Sequence, residues 1–106
     1  DRALSAGAAV RVLADLCEGV ESLTPYGGRT ISWEPLGAAW LKLGPRKRLT
    51  RNEAAGERAL ETVTAESRSD PRLTVERVLR FGGADWRIRA VETVGGQAIL
   101  RLERGA

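Results

Sequence analysis

Apolar and polar residues alternate most regularly near the end of the chain. Trp86, Ile88 and Ala90 fall on one parity, Arg87 and Arg89 on the other. Ala98, Leu100 and Leu102 repeat the pattern against Arg101 and Glu103. A period of two predicts half-buried strands over 85–93 and 97–103. Gly95-Gly96 between them supplies the positive φ angles of a tight turn, and Gly82-Gly83 joins 73–81 to 85–93 in the same way. Three successive antiparallel strands are therefore expected as a meander. The run 73–81 is less regular: Leu73, Val75, Leu79 and Phe81 align, Arg77 interrupts their face and Val78 points away. A bulge or a covered outer face would produce that pattern.

Four further runs have strand length, 10–17, 29–33, 38–43 and 60–68. Turn chemistry separates the runs, at Pro25-Tyr26-Gly27-Gly28, Glu34-Pro35-Leu36-Gly37, Gly44-Pro45, Ser69-Asp70-Pro71 and the two Gly-Gly pairs. This spacing predicts an all-β domain over 1–106, a small antiparallel β-barrel or sandwich. One stretch departs from the pattern. Thr50-Arg51-Asn52-Glu53 has the form of a capping box and leads into good helix formers, which predicts a short helix over 51–60. Gly56 weakens such a helix by about 0.5–1 kcal/mol relative to alanine. The expectation is a long charged loop over 44–61 carrying that helix, with residues 1–9 as a flexible N-terminal arm.

Composition narrows the chemistry. The 106 residues include no histidine and a single cysteine, Cys17, so Ser/His and Cys/His nucleophiles, disulfide frameworks and four-thiolate zinc sites are excluded. No catalytic residue, metal ligand or cofactor is expected, and Cys17 reads as a small buried hydrophobe. No apolar run reaches membrane-spanning length, and the N-terminal residues lack a basic-then-apolar signal, so neither membrane nor secretion is expected. The absence of an initiator methionine suggests a processed or trimmed start, and the composition suits synthesis in the cytoplasm.

The net charge is +3, and all but two of the 17 cations are arginine. Lys42, Arg46, Lys47, Arg48 and Arg51 place five cations in ten residues without an acid, and Glu53, Glu57, Arg58, Glu61 and Glu66 follow. Such a segment suits phosphate, which carries no sequence information, as well as it suits charged neighbouring subunits. Trp33, Trp40 and Trp86 are read first as core. Trp86-Arg87-Ile88-Arg89 would otherwise form a stacking face for single-stranded nucleic acid, which keeps a stand-alone nucleic-acid-binding barrel as the alternative function.

The order of features resembles the head-tail joining proteins of long-tailed phages, also called head-closure or stopper proteins. These features are Pro25-Tyr26-Gly27-Gly28, Trp33, Trp40, Pro45, the charged stretch 53–61, Thr62-Val63-Thr64 with Arg68, Arg77-Val78, and Phe81-Gly82-Gly83 before Trp86-Arg87-Ile88. The resemblance spans roughly residues 10 to 103. It implies structural roles for Gly27, Gly28, Trp33, Trp40, Arg68, Gly82, Gly83, Trp86 and Ile88. It also implies a twelve-membered ring in the neck of a virion or phage-like particle, from a phage, a prophage or a gene transfer agent. The portal and adaptor would lie above the ring, the tail terminator or tube below, and double-stranded DNA in the channel. Arg46, Lys47, Arg48, Arg51, Glu53, Glu57 and Arg58 would then belong to a loop reaching the channel or a neighbouring subunit.

Overall fold

The computed structural model describes residues 10–54 and 56–105; the N-terminal arm expected over 1–9 lies outside them. Six strands are present: β1 (Val10–Leu23), β2 (Arg29–Glu53), β3 (Gly56–Arg68), β4 (Val78–Phe81), β5 (Ala84–Val94) and β6 (Gln97–Gly105). All neighbours are antiparallel, and the sheet closes in the order β1-β2-β3-β6-β5-β4. The β4-β5-β6 meander is as the alternation predicts, with Gly82, Gly83, Gly95 and Gly96 all at positive φ.

The strand boundaries differ from the sequence expectation in instructive ways. The runs 29–33 and 38–43 are parts of one 25-residue strand. Glu34-Pro35-Leu36-Gly37 is a bulge in it rather than a reversal, since Leu16 pairs with Gly37 and Cys17 with Pro35, leaving Leu36 unpaired. Gly44-Pro45 is a second bulge, between the pairs Leu43↔Ala65 and Arg46↔Val63. Both prolines sit where a strand tolerates a residue without an N–H. A straight strand of this length would span about 80 Å at ~3.3 Å per residue. The longest dimension of the molecule is 59 Å, so β2 bends, and the bulges are where strands bend.

The helix expected over 51–60 is absent. Thr50↔Ala59, Arg51↔Arg58, Asn52↔Glu57 and Glu53↔Gly56 are strand pairs, so the expected loop 44–61 is a β-hairpin. Gly56 has φ of +114°, outside the helical range, and a helix here would have carried a stripe of only Ala55, Ala59 and Leu60. Ladder pairing along β2 offers the same backbone a partner at every residue. The strand expected from Leu73 begins only at Val78; residues 73–77 turn, with Leu73 N–H donating to the Asp70 carbonyl and Arg77 N–H to that of Thr74.

The closed sheet is filled by side chains. Leu16, Leu41, Leu79, Trp86, Ile88, Leu100 and Leu102 are wholly buried, with Ala14, Val63, Ala65 and Phe81 among them. A bulge between Ile88 and Ala90 moves Ala90 off the inner face, and Val91 packs on the core in its place. Cys17 is buried as expected, and Val78 is buried beside it in the β1–β4 pair. Arg72 fixes the β2 bulge from outside by donating through Nη1 to the Leu36 carbonyl at 2.7 Å and through Nη2 to Asp70 at 2.7 Å. That approach requires glycine at position 37, where φ is +133° and a Cβ would lie 2.3 Å from the Arg72 Nη1.

Candidate functional site

Two hairpins extend the sheet beyond the closed barrel. One is made by residues 18–34 of β1 and β2. The other belongs to the hairpin 46–63 of β2 and β3, whose residues 60–63 still pair with β6 in the closed sheet, so that only about 50–59 stand clear; each belongs to a strand that bends at a bulge. The second hairpin carries most of the predicted cation cluster, and its register divides those cations by direction. Arg46 pairs with Val63, a core residue, and so lies over the mouth of the barrel, where it is exposed to solvent. Its guanidinium lies 5.4 Å from the Trp86 ring centroid. Arg104 lies 5.2 Å from the same ring and pairs with the buried Glu61, while Phe81 stacks on Trp86 with centroids 5.6 Å apart. Two guanidiniums on one indole, with a carboxylate behind one of them, close this end of the barrel; each cation–π contact contributes roughly 0.5–2 kcal/mol.

Arg51 is tied to the outside of the wall. Its two terminal nitrogens donate to both carboxylate oxygens of Glu103 at 3.2 and 2.9 Å, a bidentate arrangement that fixes the hairpin against β6. Glu103 also receives Arg89 at 3.7 Å. At the hairpin end Arg58 meets Glu53 at 3.7 Å. Glu57 faces Asn52 across the ladder and is exposed. Lys42, Lys47 and Arg48 make no ion pair with the described residues. Five cations close in sequence thus become one over the Trp86 ring yet still exposed, one tethered to β6, and three exposed without an ion pair among the described residues.

The aromatic residues separate in the same way. Trp86 and Ile88 are wholly buried, which removes the exposed stacking face that 86–89 offered in the sequence. Trp40, read as core, is 65% exposed, because its neighbour Leu41 takes the inward parity of β2. Trp33 is half-buried over Gly19, whose added Cβ would meet the indole at 3.2 Å. Tyr26 is 97% exposed at the end of the first hairpin, where Thr24 Oγ1 accepts from the Gly28 N–H and Gly27 takes φ of +83°. Arg68 ends β3 opposite Gln97, and Gly82 and Gly83 serve the β4–β5 turn alone.

The sequence did not reveal Glu61, Arg104 and Glu103 as partners of the cluster. The only signal was the acid-rich stretch after the cations, and it placed Glu61 in a loop. Among the described residues no group of three His, Cys, Asp or Glu side chains is placed to hold a metal ion.

These features define a closed antiparallel barrel filled with side chains, with two hairpins extending from it among the described residues. A scan against protein-family models finds no match to this chain, and a search of the curated proteins finds none either. Among solved structures, the fold is similar to a chain from the virion of a native gene transfer agent (GTA) particle. The TM-score is 0.69 at 21% sequence identity, covering 90% of this chain and 94% of that chain. The likeness is one of fold.

Proposed function

We propose that this chain is a structural component of a tailed particle, a head-tail joining protein of the stopper or head-closure kind. Copies would form a ring, twelve-membered by the resemblance, between the portal–adaptor complex and the tail. The ring would retain packaged DNA and offer the tail its docking face. The observation that carries the reading is fold similarity to a virion chain over nearly the whole length of both. The order of glycine, tryptophan and arginine motifs points the same way.

The physics of the barrel is in keeping with this role. Its interior is packed with leucine, isoleucine and tryptophan, as a six-stranded barrel must be, so DNA has no path through it. Any channel therefore runs between copies. A closed ring needs two different faces of one molecule to be complementary, and two hairpins leaving the barrel supply distinct surfaces. Arg46, Lys47 and Arg48 are the exposed cations of the second hairpin without an ion pair among the described residues, available to DNA or to a neighbour, with Glu53, Glu57 and Arg58 at its end.

Electron cryo-microscopy of particles made with and without this chain tests the proposal. A ring of these barrels at the neck, with tailless, leaking heads when the chain is missing, is the expected result. Normal particles lacking the chain would overturn it.

A further inference from the structure

The seam between β2 and β3 is incomplete. Its ladder begins at Lys42↔Glu66, although β2 runs back through Leu41, Trp40, Ala39 and Ala38 and β3 runs on to Arg68. Ser67 and Arg68 pair with β6 on their other side, and residues 38–41 pair with β1 alone. In an antiparallel ladder alternate residues turn N–H and C=O to the same neighbour, so two of residues 38–41 direct theirs into the gap. The loop that follows β3 does not meet them. Its described bonds run from Ser69 N–H to the Gly96 carbonyl, within 70–73, and from Arg72 to the Leu36 carbonyl.

The gap is a cleft of about 570 Å³ in the barrel wall, inside the range of about 300–1,000 Å³ that ligand sites occupy. The Lys42↔Glu66 pair bounds it at one end and the Arg72 contact at Leu36 at the other. Residues 37–41 lie between, about 17 Å of strand at ~3.4 Å per residue. An extended peptide of similar length fills such a slot by adding a strand to the open edge.

Charge and side-chain parity set the chemistry of that peptide. Arg11, Lys42, Arg68 and the exposed Trp40 line the outer side of the cleft. Arg11 and Lys42 are direct cross-strand partners, an arrangement made unfavourable by repulsion. Neither they nor Arg68 form an ion pair with the described residues. Of the two carboxylates in the lining, Asp70 is held by Arg72 at 2.7 Å, which leaves Glu66 against three cations. Asp15, further along β1, lies opposite Arg80. On the inner side Leu41 and Ser67 are buried and Ala39 packs on the core. A strand laid here presents alternate residues outward to the cations and inward to a small, mainly apolar surface. Nucleic acid would use the cations and Trp40 but not the backbone groups of β2.

We propose that this cleft receives an extended segment of a partner protein, acidic at alternate positions and small and apolar between them, which adds as a strand to β2 at 38–41. The inference stands apart from the proposed function, since it concerns the isolated chain.

Amide shifts of the chain titrated with the capped peptide Glu-Val-Glu-Val-Glu, up to millimolar concentration, test it. Shifts are expected at residues 38–42 and 67–70 and at the Trp40 indole N–H. Capped Lys-Val-Lys-Val-Lys should bind at least about tenfold more weakly. The variant Arg11→Glu/Lys42→Glu should reverse that preference, which also shows that it folds. No shift at millimolar peptide, shifts on another face, or equal binding of the two peptides would overturn the proposal. A short oligothymidylate that moves the same residues more strongly than the acidic peptide would make the cleft a nucleic-acid site and overturn it too. So would peptide-free shifts at 38–42 on dilution or on deletion of residues 1–9, because a second copy or the chain's own terminus would then fill the cleft. The neck ring is decided separately, by the particle images.

Discussion

Replacing Glu61 by leucine tests how the mouth of the barrel is held. The Glu61 side chain is 11% exposed and pairs with Arg104, which is 34% exposed and stands over Trp86. Removing one member of a fully buried ion pair costs about 3–5 kcal/mol, because the other charge is left without compensation. Arg104 retains access to water, which recovers part of that penalty, so Glu61→Leu should cost about 2 kcal/mol. Arg104→Leu strands the more deeply buried carboxylate and should cost about 3 kcal/mol by the same reasoning. The double variant leaves no charge at the mouth and loses only one cation–π contact, placing it within about 1 kcal/mol of the parent. The coupling energy is then about 4 kcal/mol, far above the ~0.5 kcal/mol expected of independent sites. Urea unfolding followed by tryptophan fluorescence gives all four stabilities. Additive losses in the double variant would refute the idea that this pair acts as a unit over Trp86.

Three other outcomes follow from the fold. Gly56→Ala should destabilise the protein by about 1 kcal/mol, because alanine at φ of +114° is strained; a helix over 51–60 would instead have gained about 0.5–1 kcal/mol, so the sign in a thermal melt decides between them. Gly37→Ala should cost roughly 1–3 kcal/mol by combining a positive φ with displacement of Arg72 from the Leu36 carbonyl, and Arg72→Ala on that background should cost little more. The side-chain hydrogen bond from Arg72, and then its backbone N–H, hold the Asp70 carboxyl below its ordinary range. The stability this group contributes is therefore present above the usual carboxylate range, near pH 4, and lost as pH falls through the lower folded value. A carboxyl NMR titration should show Asp70 titrating below the exposed acids, and Asp70→Asn should remove that acid-limb dependence.

The meander was legible because each of its signals is local. Trp86-Arg87-Ile88 and Leu100-Arg101-Leu102 alternate, and the Gly-Gly turns reverse the chain within two residues. The bulges were legible only as interruptions. Proline and glycine break a ladder equally well where a chain turns back and where it carries one extra residue. What separates the two at Pro35 and Pro45 is whether Cys17 and Val63 continue the pairing beyond, which depends on residues up to 18 positions away. The helix expectation failed for the same reason, since Thr50-x-x-Glu53 satisfies a helix start locally and Ala59 and Arg58 satisfy a strand across the hairpin. At the candidate site, the cations were visible as a cluster. Their fates were not, because the groups that engage Arg46 and Arg51 are Trp86 and Glu103, 40 and 52 residues further along.

In the proposed ring, that division of the cluster would set how strongly the chains hold DNA. Were all five cations of residues 42–51 to meet phosphate, the affinity of each copy would fall with salt at a slope of about −4.5, since each neutralised phosphate contributes roughly −0.9. Repeated around a ring, such a grip would oppose release of the genome as firmly as its retention. Arg51 is tied to Glu103, while Lys42, Arg46, Lys47 and Arg48 stay exposed, so the slope per copy drops to about −3.6 at most. In the proposed role, a neck built this way would retain DNA by filling the passage and by salt-sensitive attraction. Arg48→Glu should then lower the salt dependence of DNA leakage from particles, and leakage with an unchanged salt dependence would refute contact between the hairpin cations and DNA.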